Sequence, residues 1–142
     1  MNVKYLKFNS FSQKELVLLR EKVLRIPLGM KFSKEELALE NNQHHFGIFD
    51  NEKLVGGLIL VNQENNIAKM RQVCIDFEFQ GKGFGQQLVL YSENWAKEKG
   101  FKIMFCHARK NALSFYKKMN YKVTGNSFEE VGLKHFKLVK KL

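Results

Sequence analysis

Three glycines at alternate positions, in Gln80-Gly81-Lys82-Gly83-Phe84-Gly85, stand where a strand-like segment, Ile67–Asp76, gives way to a helical pattern. Phe84, Leu88, Tyr91 and Trp95 follow at spacings of 4, 3 and 4, which predicts one apolar stripe on a helix. Lys97 and Lys99 fall in its last turn, and Gly100 suits the left-handed residue that closes it. Phe101–Ala108 then reads as a buried strand. Strand, helix and strand in that order imply a right-handed crossover and a parallel pair. The chain therefore has a βαβ unit at its centre, with the glycines at the junction of strand and helix.

The segments before this unit predict antiparallel pairing. Val3–Phe8 reads as a first strand, and Ser12-Gln13-Lys14-Glu15 carries a capping-box pattern ahead of Leu16, Leu19 and Val23 at helical spacing. That helix should stop before Pro27-Leu28-Gly29, and Ser33-Lys34-Glu35-Glu36 repeats the capping signal for a short second helix. His45–Phe49, a turn at Asp50-Asn51 and Leu54–Val61 form a hairpin, and the polar turn Asn62–Asn66 leads into Ile67–Asp76. After the βαβ unit, Ala112–Met119 predicts a short helix that Asn120 can end in the left-handed conformation. Tyr121–Val123 and His135–Val139 read as a last pair of strands. The expected fold class is α/β of the α+β type: a mixed, mostly antiparallel sheet around a central βαβ unit, with helices on both faces.

A chain of 142 residues has the size of one ordinary domain, so residues 1–142 are expected to form a single domain. An apolar content of 44% with 13 Phe supplies its core. No run approaches the roughly 18 apolar residues of a membrane helix. Met1-Asn2-Val3-Lys4-Tyr5-Leu6-Lys7 contains no apolar signal core, so a cytoplasmic protein without membrane contact is expected. Cys74 and Cys106 each lie inside an apolar run and read as buried free thiols, and no paired Cys/His spacing suggests a metal.

The formal net charge of +10 is unevenly spread. Residues 1–96 hold 12 basic against 11 acidic side chains, whereas residues 97–142 hold 12 against 3. An anionic partner suits that end of the chain: nucleic acid, a membrane surface or a phosphorylated cofactor. A solvated face would use the same charges.

The three glycines leave the backbone bare. Their N–H groups can turn toward a phosphate with help from the positive end of the helix dipole, and Lys82 adds charge. A tight turn alone would also use them. Other phosphate loops fit poorly. Gln86 follows Gly85 where the Walker pattern needs Lys, and Gln86 or Leu88 occupies the third glycine position of the dinucleotide pattern.

At this junction the sequence resembles the GCN5-related N-acetyltransferase (GNAT) family. That family carries Q/R-x-x-G-x-G/A here, matched by Gln80, Gly83 and Gly85. Arg71-Gln72-Val73-Cys74-Ile75-Asp76 looks like its acyl-CoA-binding strand, although Phe77 stands where the usual turn has Pro. Asn111-Ala112-Leu113-Ser114-Phe115-Tyr116-Lys117-Lys118-Met119-Asn120-Tyr121 resembles the family's N-x-x-x-F-Y-x-x-x-G-F segment, with Asn120 in place of Gly. The order of elements agrees over nearly the whole chain, and the specific motifs occupy about residues 71–121.

The resemblance implies an N-acetyltransferase with acetyl-CoA as co-substrate and no metal. The pyrophosphate would lie on Gln80, Gly81, Lys82, Gly83, Phe84 and Gly85, and the pantetheine arm would pair with Val73, Cys74 and Ile75 as an extra strand. The likeness also implies that this strand and Phe101–Ala108 splay apart to admit the arm, with Asn111 and Tyr116 on the cofactor's side. A backbone N–H near Val73 or Cys74 would polarise the thioester carbonyl, and Tyr116 would hydrogen-bond or protonate the departing thiolate, unless it only packs with its hydroxyl satisfied.

An alkylamine is protonated at neutral pH, so a base is needed. Glu130 and His135 are candidates. They lie in Phe128-Glu129-Glu130-Val131-Gly132-Leu133-Lys134-His135, which resembles an F-x-E-x-G-I/L-x-H tail in some family members. His44 and His45 alternate across a strand and cannot form a compact ligand pair; they read as packing residues, with one of them an alternative lining of the acceptor pocket, and His107 reads as packing too. Cys74 as an acyl carrier lacks an activating base.

The acceptor, a small amine or a peptide, is set by the loops around 26–46 and 124–135. The net charge argues against a polycation, and a homodimer is compatible with all of this. Two other readings remain open at this point. One is a basic nucleic-acid-binding domain, with Phe115, Tyr116 and Tyr121 interleaved with lysines. The other is an acyl-CoA sensor without catalysis.

Overall fold

The computed structural model describes residues 1–142. Seven strands form one sheet in the order β1-β2-β3-β4-β5-β7-β6. They are β1 (Asn2–Leu6), β2 (His44–Asp50), β3 (Lys53–Gln63), β4 (Ile67–Ile75), β5 (Ile103–Arg109), β6 (Lys122–Glu130) and β7 (Leu133–Lys141). Four α-helices accompany them: α1 (Phe11–Arg20), α2 (Lys34–Ala38), α3 (Phe84–Glu98) and α4 (Leu113–Lys118). The expected architecture is present. β1–β2, β2–β3, β5–β7 and β6–β7 pair antiparallel, and β4–β5 is parallel across α3. No helix is long and apolar enough to cross a membrane.

The chain divides into two compact units, Met1–Leu60 with Gln72–Ser92 and Val61–Arg71 with Glu93–Leu142. In the first, Leu6, Leu16, Leu19, Phe49, Leu54 and Cys74 form a buried cluster. Gly57 on β3 lets α1 come close: a Cβ there would lie 2.4 Å from a Leu16 methyl and 2.6 Å from the Phe46 carbonyl oxygen.

Helix α1 begins two residues earlier than Ser12 implies. Ser10 is the cap, its Oγ accepting from the Gln13 N–H at 3.3 Å, while Gln13 Oε1 accepts from the Asn9 N–H at 3.1 Å. The capping pair is thus Ser10 and Gln13, because Gln serves as well as Glu in that role. The helix runs on through a π turn, Glu21–Arg25, and a 3-10 turn, Ile26–Leu28, and stops at Gly29 with φ of 70°. At α2 both halves of the Ser33–Glu36 capping box are formed.

In the second unit β5 alternates strictly. Met104, Cys106 and Ala108 are buried on one face; Phe105, His107 and Arg109 take the other. Leu138 and Lys140 of β7 pair with Cys106 and Met104, so they share the buried face. Glu93 of α3 lies there too, 95% buried. It accepts from the Tyr121 hydroxyl at 2.6 Å and from Lys140 Nζ at 2.8 Å.

Two expectations are corrected here. Tyr91 and Trp95 do not continue the buried stripe of α3: Tyr91 is exposed and Trp95 half-buried, and the inward positions after Phe84 and Leu88 are Val89, Ser92, Glu93 and Ala96. Polar partners for Ser92 and Glu93 make those positions habitable, which apolar periodicity does not register. The last two strands are also longer than Tyr121–Val123 and His135–Val139. The segment expected to form a loop at 124–135 is most of a hairpin, closed by Val131 and Gly132 at φ of 47° and 74°. Positive φ at both central residues is the turn that matches strand twist, but Asn-Gly is its usual sequence and a β-branched Val there is strained.

Candidate active site

In the first unit, Asp76 closes β4. Its N–H donates to the Val55 carbonyl at 2.8 Å, and its carboxylate takes Lys22 Nζ at 2.9 Å. A 3-10 turn, Phe77–Phe79, follows, and then the glycine loop. Gly81 and Gly83 have φ of 75° and 89°, conformations that other residues rarely hold. A Cβ at either would meet no atom within 4 Å, so the backbone there faces open space.

The Gly83 carbonyl accepts from the Gln87 N–H at 3.2 Å, which makes Gly83 the cap of α3. The first amides of this 15-residue helix have no partner within it, and the dipole's positive end lies among them. An anion fits this arrangement. Phe84 is buried edge-on to Phe79, centroids 5.7 Å apart, so it offers only backbone. Gln80 spends its side-chain amide on the Ile75 carbonyl at 2.9 Å and braces the loop against the end of β4. Lys82 Nζ sits 5.6 Å from the Phe79 ring centroid.

Val73, Cys74 and Ile75 follow a break that nothing in the sequence marks. Gln72, in mid-strand, has φ of 56°, and its Oε1 is buried without a partner. A non-glycine residue in this region costs on the order of 1–3 kcal/mol, a strain that persists at functional sites. Cys74 is buried, which pushes its thiol up to about 12 and disfavours the thiolate that an acyl carrier needs.

In the second unit, Asn111 is exposed in the 3-10 turn before α4, and Tyr116 is buried within that helix. The Tyr116 ring packs edge-on against Phe115 and Tyr121, at 5.0 and 5.6 Å. Its hydroxyl makes no hydrogen bond. Burial, with the Cys106 thiol beside it, raises the phenol's pKa well above its ordinary value, so it stays protonated and is a donor. The parallel ladder of β4 and β5 runs from Ile67↔Ile103 to Met70↔Cys106. His107 is the next residue of β5.

The two base candidates are not brought together. Glu130 Oε2 accepts from His107 Nδ1 at 2.9 Å, whereas His135 Nδ1 donates to the Leu133 carbonyl at 2.9 Å. Phe128 packs against both rings, 4.8 Å from His107 and 6.2 Å from His135. His45 Nε2 bonds the Glu40 carbonyl and His44 Nδ1 bonds the Tyr5 hydroxyl, both at 2.9 Å, in keeping with packing roles.

The profile of the acetyltransferase (GNAT) domain matches residues 24–142. The chain belongs to that family and is an acyltransferase. It is 26% identical over 133 residues to the uncharacterised N-acetyltransferase YjcF of Bacillus subtilis, covering 93% of this chain and 94% of YjcF. Among solved structures, a Lactobacillus plantarum chain superposes with a TM-score of 0.85 at 22% identity, over 100% of this chain and 99% of that one. A Bacillus subtilis acetyltransferase in complex with CoA gives 0.78 at 18% identity, over 99% and 98%.

Proposed function

We propose that this protein is an N-acetyltransferase that moves the acetyl group of acetyl-CoA directly onto a primary amine, without an acetylated enzyme. The observation that carries this reading is the loop before α3: two left-handed glycines, open to solvent, leading into unpartnered helix amides. The pyrophosphate binds those amides, and Lys82 adds long-range attraction. The pantetheine arm pairs with the backbone of Val73–Ile75. An N–H of Val73 or Cys74 polarises the thioester carbonyl, and Tyr116, whose hydroxyl has no other partner, gives its proton to the departing thiolate. Asn111, in the 3-10 turn that precedes α4, contacts the cofactor. The net charge of +10 favours an acceptor without several positive charges, a small amine or a peptide N-terminus. We place the reaction in the cytoplasm.

The test is release of free thiol from acetyl-CoA in the presence of a panel of small amines and peptides. At least one acceptor should raise thiol release well above the rate without amine, with the acetyl group recovered as amide. Tight acetyl-CoA binding with no thiol release across the panel would instead mean a sensor. Strong oligonucleotide binding that falls steeply with salt, with no acetyl-CoA binding, would mean a nucleic-acid module.

A further inference from the structure

The half-buried face of β5 carries a cluster with no part in cofactor binding. His107, Phe105 and Arg109 alternate onto it. Lys137 pairs with His107 and His135 with Arg109, so both lie on the same face, and Lys69 of β4 pairs with Phe105. From β6 come Phe128 and Glu130, because β6 gains two residues over β7 between Thr124↔Lys137 and Phe128↔His135. That insertion and the strained turn at Val131–Gly132 bring Glu130 to His107 across 23 positions of sequence.

The geometry points to a role. A carboxylate only accepts, so His107 Nδ1 must be the protonated nitrogen, and the neutral ring presents its lone pair at Nε2. Phe128 packs edge-on against the ring and fixes its plane. On the opposite face of β5, the neighbouring residue Cys106 lies within electrostatic reach of Tyr116. A proton donor and a proton acceptor therefore flank one point of β5 from its two faces. That point is where the parallel ladder with β4 ends.

We propose that His107, oriented by Glu130, is the general base of the transfer reaction. This inference rests on the acetyl-transfer reading. His107 Nε2 takes a proton from the bound ammonium and passes it to solvent; the freed amine nitrogen attacks the thioester carbon, and its second N–H proton passes to Nε2. The C–S bond breaks, and the thiolate takes the Tyr116 proton. The imidazolium then returns a proton to solvent and the phenolate regains one, leaving amide and free CoA thiol.

The charges around the ring suit the task. Burial, then Lys69, and more weakly Lys137, hold His107 below its ordinary pKa of 6.5, and Glu130 opposes them. Arg109 lies two residues along the same face, and His135 lies beyond Phe128. The base is therefore already neutral at pH 7. The acid limb that belongs to this base should lie below 6.5, apart from the acceptor amine's own limb at higher pH.

The experiment compares the parent with His107→Gln, Glu130→Gln and His135→Gln, using the acceptor found in the amine panel. Turnover is measured from pH 5 to 9 alongside the KM for acetyl-CoA and the melting temperature. His107→Gln should lower kcat roughly a hundredfold or more and abolish the acid limb, with KM for acetyl-CoA within about twofold. Glu130→Gln keeps an acceptor for Nδ1 but removes the charge that raises the His107 pKa. It should lower kcat by about tenfold and move the acid limb to lower pH, an effect a purely structural role would not produce. If His107→Gln does not fold, this limb shift alone decides. Unchanged turnover and an unchanged limb in a folded His107→Gln protein overturn the assignment, as does a loss confined to His135→Gln. No transfer by the parent to any amine overturns the acetyl-transfer reading itself, a result separable from the others because it precedes any substitution.

Discussion

Tyr116→Phe is expected to lower turnover by roughly tenfold to a thousandfold while leaving affinity for acetyl-CoA little changed. The substitution keeps a ring that is 94% buried and packed edge-on against Phe115 and Tyr121. It removes one hydroxyl, and that hydroxyl holds no hydrogen bond, so nothing in the fold is left unsatisfied. The stability cost should therefore be small, and the lost function is the donor itself. A phenol kept neutral by burial presents its O–H to the departing thiolate at any pH between 6 and 9, so the effect should be constant across that range. Steady-state kinetics with the best acceptor, and pre-steady-state measurement of thiol release, read it directly. Unchanged turnover where chemistry limits the rate would leave Tyr116 a packing residue.

The largest effect on stability is expected at Arg20. Its two terminal nitrogens meet Glu40 Oε1 and Oε2 at 2.9 and 2.8 Å, and the two side chains are 0% and 4% exposed. Phe32 lies over the guanidinium, 4.6 Å away, and Arg20 Nε has no partner. Arg20→Ala would leave the buried Glu40 carboxylate without its guanidinium, at a cost of about 3–5 kcal/mol. Thermal denaturation should register this as a fall in Tm of roughly 10 °C or more for a chain of this size. Arg20→Met combined with Glu40→Leu should recover most of the loss, because two ions need no longer be held away from water. A cost below about 1 kcal/mol for Arg20→Ala would mean that the pair opens to solvent.

The central βαβ unit was readable because its signals are local: apolar runs of strand length, a helical stripe, and glycines where backbone must lie bare. Asn120, with φ of 72°, ends α4 as its residue type suggested. The pairing of Arg20 with Glu40 was not readable. Arg20 follows Leu16 and Leu19 on the inner face of α1, a place where periodicity expects an apolar residue, and its partner comes 20 residues later. Glu93 on α3 is the same case. The break at Gln72 left no trace either, since glycine is the only common sequence mark of a left-handed residue in a strand.

The candidate site divides in the same way. Its glycine loop and Tyr116 were marked by local motifs, whereas the partner of Glu130 was not. His107 reads as one more alternating residue of a strand, and only the two extra residues of β6 and the turn at Val131–Gly132 bring the carboxylate to it.

Calorimetric titration of acetyl-CoA into the parent protein and into Gly83→Val tests the acyl-CoA-binding loop most directly. At Gly83 a side chain has room, but φ of 89° is closed to valine, so the loop must leave its conformation and withdraw its amides from the pyrophosphate. The parent should bind one acetyl-CoA per chain. Gly83→Val, still folded by its melting curve, should bind at least about tenfold more weakly, the loss of roughly one charge-assisted hydrogen bond. A parent that does not bind acetyl-CoA, or a folded variant that binds it as tightly as the parent, would contradict the account.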